Sequence, residues 1–172
     1  QNQYAILSGY VVSMLVTPTF FCTIIYRLYL PIATDDLYYH KSNTFLHLLY
    51  ALLICFLIGL PFTLIFYFFP KRSLMILYNT TSGYQQLKYM SFPFLLFYLQ
   101  TPLSTILQAK NKNKVMFIIS MIECTLEIIL TYTLSHYLYV NTILISLFTG
   151  LITTLTLSAI YCFKIIKDTS LS

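Results

Sequence analysis

Glu123 and Glu127 are the residues with the clearest potential for chemistry. They stand one helical turn apart inside a long apolar stretch. At about 100° per residue, Ser120, Glu123, Cys124, Glu127 and Thr131 share one arc of a helix. A carboxylate at the centre of a bilayer costs about 2.5–3.5 kcal/mol on insertion scales, and acids kept there face a cavity, a partner or a relay. Two ionised carboxylates side by side repel, so the pair is expected to share a proton. The expectation is a polar cavity in front of both. The alternative is a basic residue on another helix that satisfies them.

Gln100, Ser104 and Gln108 form a second polar stripe, flanked by Thr101 and Thr105. The compact basic turn at 110–114 makes the helices on either side antiparallel neighbours, so the two stripes are expected to face one cavity. Bonding between helices is the alternative use of such a stripe. Arg27 either snorkels to lipid phosphate or binds an anionic substrate. Asp35 and Asp36 invite a metal-diphosphate reading, but a second acidic cluster is lacking. His47 and His136 have no histidine or carboxylate at ligand spacing, which points to structural roles. Cys22, Cys55, Cys124 and Cys162 sit in apolar runs without a CxxC pair, and are expected as free, buried thiols. No nucleophile motif, phosphate loop or dinucleotide fingerprint is present. The expectation is therefore no catalytic residue, no cofactor and no metal.

What holds these residues must be a membrane. Of 172 residues, 58% are hydrophobic and only 9% are charged, against about 25% charged in soluble domains. Mean hydropathy is +0.76. A spanning helix needs about 20 apolar residues, and five stretches qualify: residues 4–30, 44–69, 84–109, 115–135 and 141–163. Barrel strands run about ten residues with alternating polarity; these stretches are longer and do not alternate. The fold class is an all-α, polytopic transmembrane bundle, one domain over residues 1–172. The connections are short and polar: 31–43, 70–83, 110–114 and 137–140. Lys and Arg number seven at one face (Arg27, Lys41, Lys110, Lys112, Lys114, Lys164, Lys167) and three at the other (Lys71, Arg72, Lys88). Positive charge stays cytoplasmic, so the N-terminus of this chain is expected outside and the C-terminus inside. The net charge of +5 thus reads as topology, with no nucleic-acid partner.

Small residues let membrane helices approach. They recur at four-residue steps as Ala51, Cys55, Gly59 and Thr63, as Ser146, Gly150, Thr154 and Ser158, and as Gly9, Ser13 and Thr17. Each stripe is expected in a helix contact, or else along a polar cavity. Pro18, Pro61, Pro93 and Pro102 fall within spans and are expected to kink them. Interrupted helices are frequent in transporters that rock between two states.

One succession of residues points further. Leu74-Met75-Ile76-Leu77-Tyr78 is followed by a short loop, then by 95–100, then by Pro102-Leu103-Ser104-Thr105-Ile106-Leu107-Gln108-Ala109 and the Lys-Asn turn. This resembles the stage V sporulation protein B-like branch of the polysaccharide flippases, in the multidrug/oligosaccharidyl-lipid/polysaccharide exporter superfamily. Leu30-Pro31-Ile32-Ala33 looks like the ending of an earlier helix in that family. The resemblance covers nearly the whole chain. It implies helices eight to twelve of a fourteen-helix, two-lobed transporter, the larger part of its C-terminal lobe. The partners it implies are a lipid-linked sugar, membrane lipids and the N-terminal lobe of the same protein, in a bacterial cytoplasmic membrane. Family members often carry Lys near the position of Glu127, and Gly where Asn141-Thr142 stands here. The expected function is a flippase for lipid-linked oligosaccharide or polysaccharide precursors, working by alternating access without covalent chemistry. The alternatives are a membrane-embedded prenyl- or glycosyltransferase using Asp35 and Asp36, and a multidrug exporter of the same superfamily.

Overall fold

The computed structural model describes residues 7–39, 44–138 and 140–170. Among these no strand occurs, and the chain is an all-α, multi-pass bundle with five helices long and apolar enough to cross a membrane. The first span, Gly9–Tyr38, opens with a π-helical turn (Leu7–Val12), continues as the short α1 (Ser13–Val16), breaks at Thr17 and Pro18, and resumes as α2 (Thr19–Tyr38). The second span is α3 (Thr44–Phe68). The short helix α4 (Pro70–Tyr78) follows it. The remaining spans lie in α5 (Tyr84–Ala109), α6 (Asn113–Leu138) and α7 (Val140–Ser170). His40, Lys41 and the side chain of His136 lie outside the described residues.

The spans fall close to where hydropathy puts them, and two connections do not. Residues 31–38, expected as loop, continue α2 straight through Pro31. Proline is tolerated inside membrane helices when neighbours satisfy the freed backbone groups. Residues 70–78, also expected as loop, form α4 with Pro70 at its first turn, where a missing amide proton costs nothing. Asn79 ends α4 in the left-handed conformation (φ 51°). Asn111 does the same after α5 (φ 55°). There the Lys112 amide donates to the Leu107 carbonyl at 2.8 Å, closing the helix end and reversing the chain into α6.

Helix α5 is the centre of the bundle and packs against α2, α3 and α7. Its most apolar part is half buried, whereas that of α6 is almost wholly exposed, since α6 leans on α7 and otherwise faces outward. Two of the small-residue stripes make these contacts. Ala51, Cys55, Gly59 and Thr63 are buried, and so are Ser146, Gly150, Thr154 and Ser158. The third is different: Gly9, Ser13 and Thr17 are exposed. The first span instead buries Val11, Met14, Leu15 and Cys22, because bulky side chains fill that contact with α5.

The break at Pro18 is supported from both sides. Tyr98 of α5, almost fully buried, donates its hydroxyl to the Leu15 carbonyl at 2.7 Å. Thr19 donates to the Val16 carbonyl at 2.6 Å. The other span prolines, Pro61, Pro93 and Pro102, sit within uninterrupted helices.

Candidate functional site

Glu123 and Glu127 lie in the seam between α6 and α7, both half-buried. Helices α6 and α7 pack antiparallel, so positions four apart on one meet positions four apart on the other. Three rungs result. Thr131 donates to the Ser146 hydroxyl at 3.1 Å. Glu127 lies against Gly150, where an added Cβ would stand 2.5 Å from Oε1. Glu123 is beside the Thr154 hydroxyl and within electrostatic reach of Glu127. Thr154 in turn donates to the Gly150 carbonyl at 2.9 Å. Glycine at residue 150 therefore leaves the space that Glu127 occupies, and the small hydroxyls keep the rest of the seam polar.

This seam receives only part of the expected arc. Ser120 and Cys124 sit on its outward edge and are exposed. Cys124 is the exception among four free cysteines, the other three being buried. Burial of Cys124 was the expectation, and the peripheral place of α6 is the reason it fails. Among the described residues neither glutamate has a basic partner; the ion pair found joins two other residues.

The two polar stripes do not converge. Gln108 accepts a hydrogen bond from the Tyr26 hydroxyl of α2, so that end of the α5 stripe faces the first span. Ser104 and Thr105 donate back to the Thr101 carbonyl at 2.8 and 2.9 Å. Gln100 is half-buried on the same helix. The face of α5 that meets α6 and α7 is apolar: Leu103, Ile106 and Leu107 pack with Ile119 and Cys162. A shared cavity between α5 and the carboxylates was expected because a tight turn joins α5 to α6. The carboxylates instead turn to α7.

Arg27 is exposed and lies well inside the first span, because α2 runs on to Tyr38. Asp35 and Asp36 are adjacent on that helix and about 100° apart. Asp35 is exposed, whereas Asp36 is buried and pairs through Oδ2 with Nδ1 of His47 on α3. Consecutive helical positions diverge, so the two carboxylates do not form one metal clamp. Among the described residues no group of three or more His, Cys, Asp or Glu side chains gathers to hold a metal. The Asp36–His47 pair was missed because neighbours were sought at ligand spacing along one helix. The available signal was the buried stripe Tyr29, Ala33 and Asp36, which places Asp36 on the inner face.

No family model, curated protein or solved structure matches this chain.

Proposed function

We propose that the chain forms part of a membrane transporter, a flippase that moves lipid-linked oligosaccharide or polysaccharide precursors by alternating access. The observation that carries this reading is the Glu123–Glu127 pair. Two carboxylates with no basic partner among the described residues, within a span of the most peripheral helix, are expensive to keep in a bilayer. Their half-open seam suits proton exchange or contact with a polar head group. The first span adds support: it is interrupted at Pro18, and interrupted helices are common where one helical body rocks against another. The named substrate class rests on the sequence resemblance alone.

The reading includes a bacterial cytoplasmic membrane, with the N-terminus of this chain outside, on the strength of a basic asymmetry that is still six to three once Arg27 is counted inside its span. The enzyme alternative loses ground, because Asp36 is turned inward to His47 while Asp35 faces outward.

The test is E123Q/E127Q in the full-length protein. Glutamine keeps size and hydrogen bonding and removes ionisation, so insertion becomes easier. Translocation of a lipid-linked sugar in vesicles is expected to fall while thermal stability in detergent is kept. Unchanged translocation at unchanged stability removes the role of the pair. Loss of both together assigns it to structure, as when a buried partner is left unpaired.

A further inference from the structure

The bundle end formed by α4 and the flanking helix termini carries positive charge with no counter-charge among the described residues. Lys71, Arg72 and Lys88 are exposed there. The chain has five acidic residues, Asp35, Asp36, Glu123, Glu127 and Asp168. The three aspartates belong to helix termini at the opposite end, and the two glutamates lie within the fourth span. Each of the three cations is seated over an aromatic ring instead. Lys71 Nζ is 4.5 Å from the Tyr84 ring centre, the Arg72 guanidinium carbon 5.8 Å from Phe69, and Lys88 Nζ 5.0 Å from Tyr67.

The same end exposes apolar surface outside the spans. Helix α4 buries Pro70, Ser73 and Leu74 against the bundle. Its other face presents Met75 and Ile76, the latter 82% exposed, with Leu77 beside them. Phe68, the last residue of the second span, and Phe69 after it are exposed just before α4. Water does not favour such a face. A headgroup layer does: apolar side chains reach the acyl boundary, aromatic rings sit at headgroup level, and cations meet phosphates.

We propose that α4 and the Lys71–Arg72–Lys88 cluster form a docking surface for anionic membrane lipid. Ile76 and Met75 enter the acyl boundary, and the three cations take headgroup phosphates. The occupant follows from charge. This end holds three positive groups, and among the described residues no carboxylate stands near to neutralise them. The rings hold the cations in place through one face and leave their remaining protons for phosphate oxygens. Attraction to an anionic leaflet is additive over basic residues and screened by salt.

The chain contains no tryptophan, so I76W supplies a single indole at an exposed site. The full chain carrying I76W is reconstituted into phosphatidylcholine vesicles with a minor fraction of brominated lipid. That lipid is either phosphatidylglycerol or phosphatidylcholine, and indole quenching is measured. Brominated phosphatidylglycerol is expected to quench more strongly, by more than about two-fold. The preference should shrink in high salt and vanish in I76W/K71Q/R72Q/K88Q. Equal quenching by the two lipids overturns the proposal, as does a preference that survives in the charge-stripped variant. Absence of quenching by either lipid also overturns it, since the face is then covered by protein.

Discussion

Glu127 of α6 fills the space that Gly150 of α7 leaves open. A Cβ at residue 150 would meet its Oε1 at 2.5 Å and its Cδ and Cγ at 3.1 Å. Oε1 is the far end of a flexible side chain and can turn aside, but Cγ and Cδ must also give by a few tenths of an ångström, so the Glu127 side chain has to shift within the seam. G150A is expected to destabilise the protein by about 1–3 kcal/mol, the usual cost of overpacking. E127A should relieve that loss, making the double variant less damaged than the sum of the singles. A thermal-unfolding double-mutant cycle in detergent checks this; strict additivity would show that the two residues do not share one space.

A stiffer contact holds α3 to α5. A Cβ at Gly59 would run into the Tyr98 ring and stand 3.2 Å from Leu95 Cδ1. The ring cannot swing away, because its hydroxyl is tied to the Leu15 carbonyl. G59A is therefore expected to lower the melting temperature more than G150A. Y98F keeps the ring and loses only that bond. Its expected loss is about 0.6 and at most about 1.7 kcal/mol, the scale of hydrogen bonds between membrane helices. A G59A protein as stable as its parent would contradict this account of the contact.

Much of this bundle was legible in the sequence, because spans are a matter of length and composition. Residues 84–109 coincide with α5, bounded by Gly83 in the left-handed conformation (φ 88°) and by the Lys-Asn turn. The two polar stripes and two of the three small-residue stripes were also readable from four-residue spacing. Their partners were not. Glu127 was set against Gln100, Ser104 and Gln108 because a tight turn joins α5 to α6. Helix α7 also packs against α6, and there Gly150 with Thr154 offers the smaller surface. Spacing gives the face of a helix; which neighbour it meets depends on side-chain volume across the contact. Pro31 was read as a stop for a similar reason. Its effect depends on what surrounds the freed carbonyl, and that lies on other helices.

The Asp36–His47 pair ties α2 to α3 near the connection they share. Asp36 is buried, while the His47 side chain is 38% exposed, so the partners do not contribute equally. H47A takes away one partner of the buried carboxylate and D36N takes away the buried charge itself, so both are expected to destabilise the protein. The pair is expected to show a coupling energy of about 0.5–3 kcal/mol in a double-mutant cycle. Strict additivity of the two losses would show that Asp36 and His47 do not act as a pair.

The orientation is open to a direct labelling experiment, and the backbone decides where to place the probes. Asn79, Gly83 and Asn111 adopt positive φ, a region that cysteine enters at a cost. Ser82 and Asn113 are exposed at opposite ends of the bundle without that constraint. Native cysteines must first be replaced. Three are buried, but Cys124 is exposed on the outward face of α6 and would add background. In such a cysteine-free protein, S82C and N113C are treated with a membrane-impermeant maleimide on intact cells. The three basic residues of the 110–114 turn should hold that turn in the cytoplasm. S82C is then expected to react and N113C to react only after the cells are opened. Labelling of N113C but not S82C on intact cells would reverse the orientation. It would also move the anionic-lipid surface of α4 to the cytoplasmic leaflet without removing it.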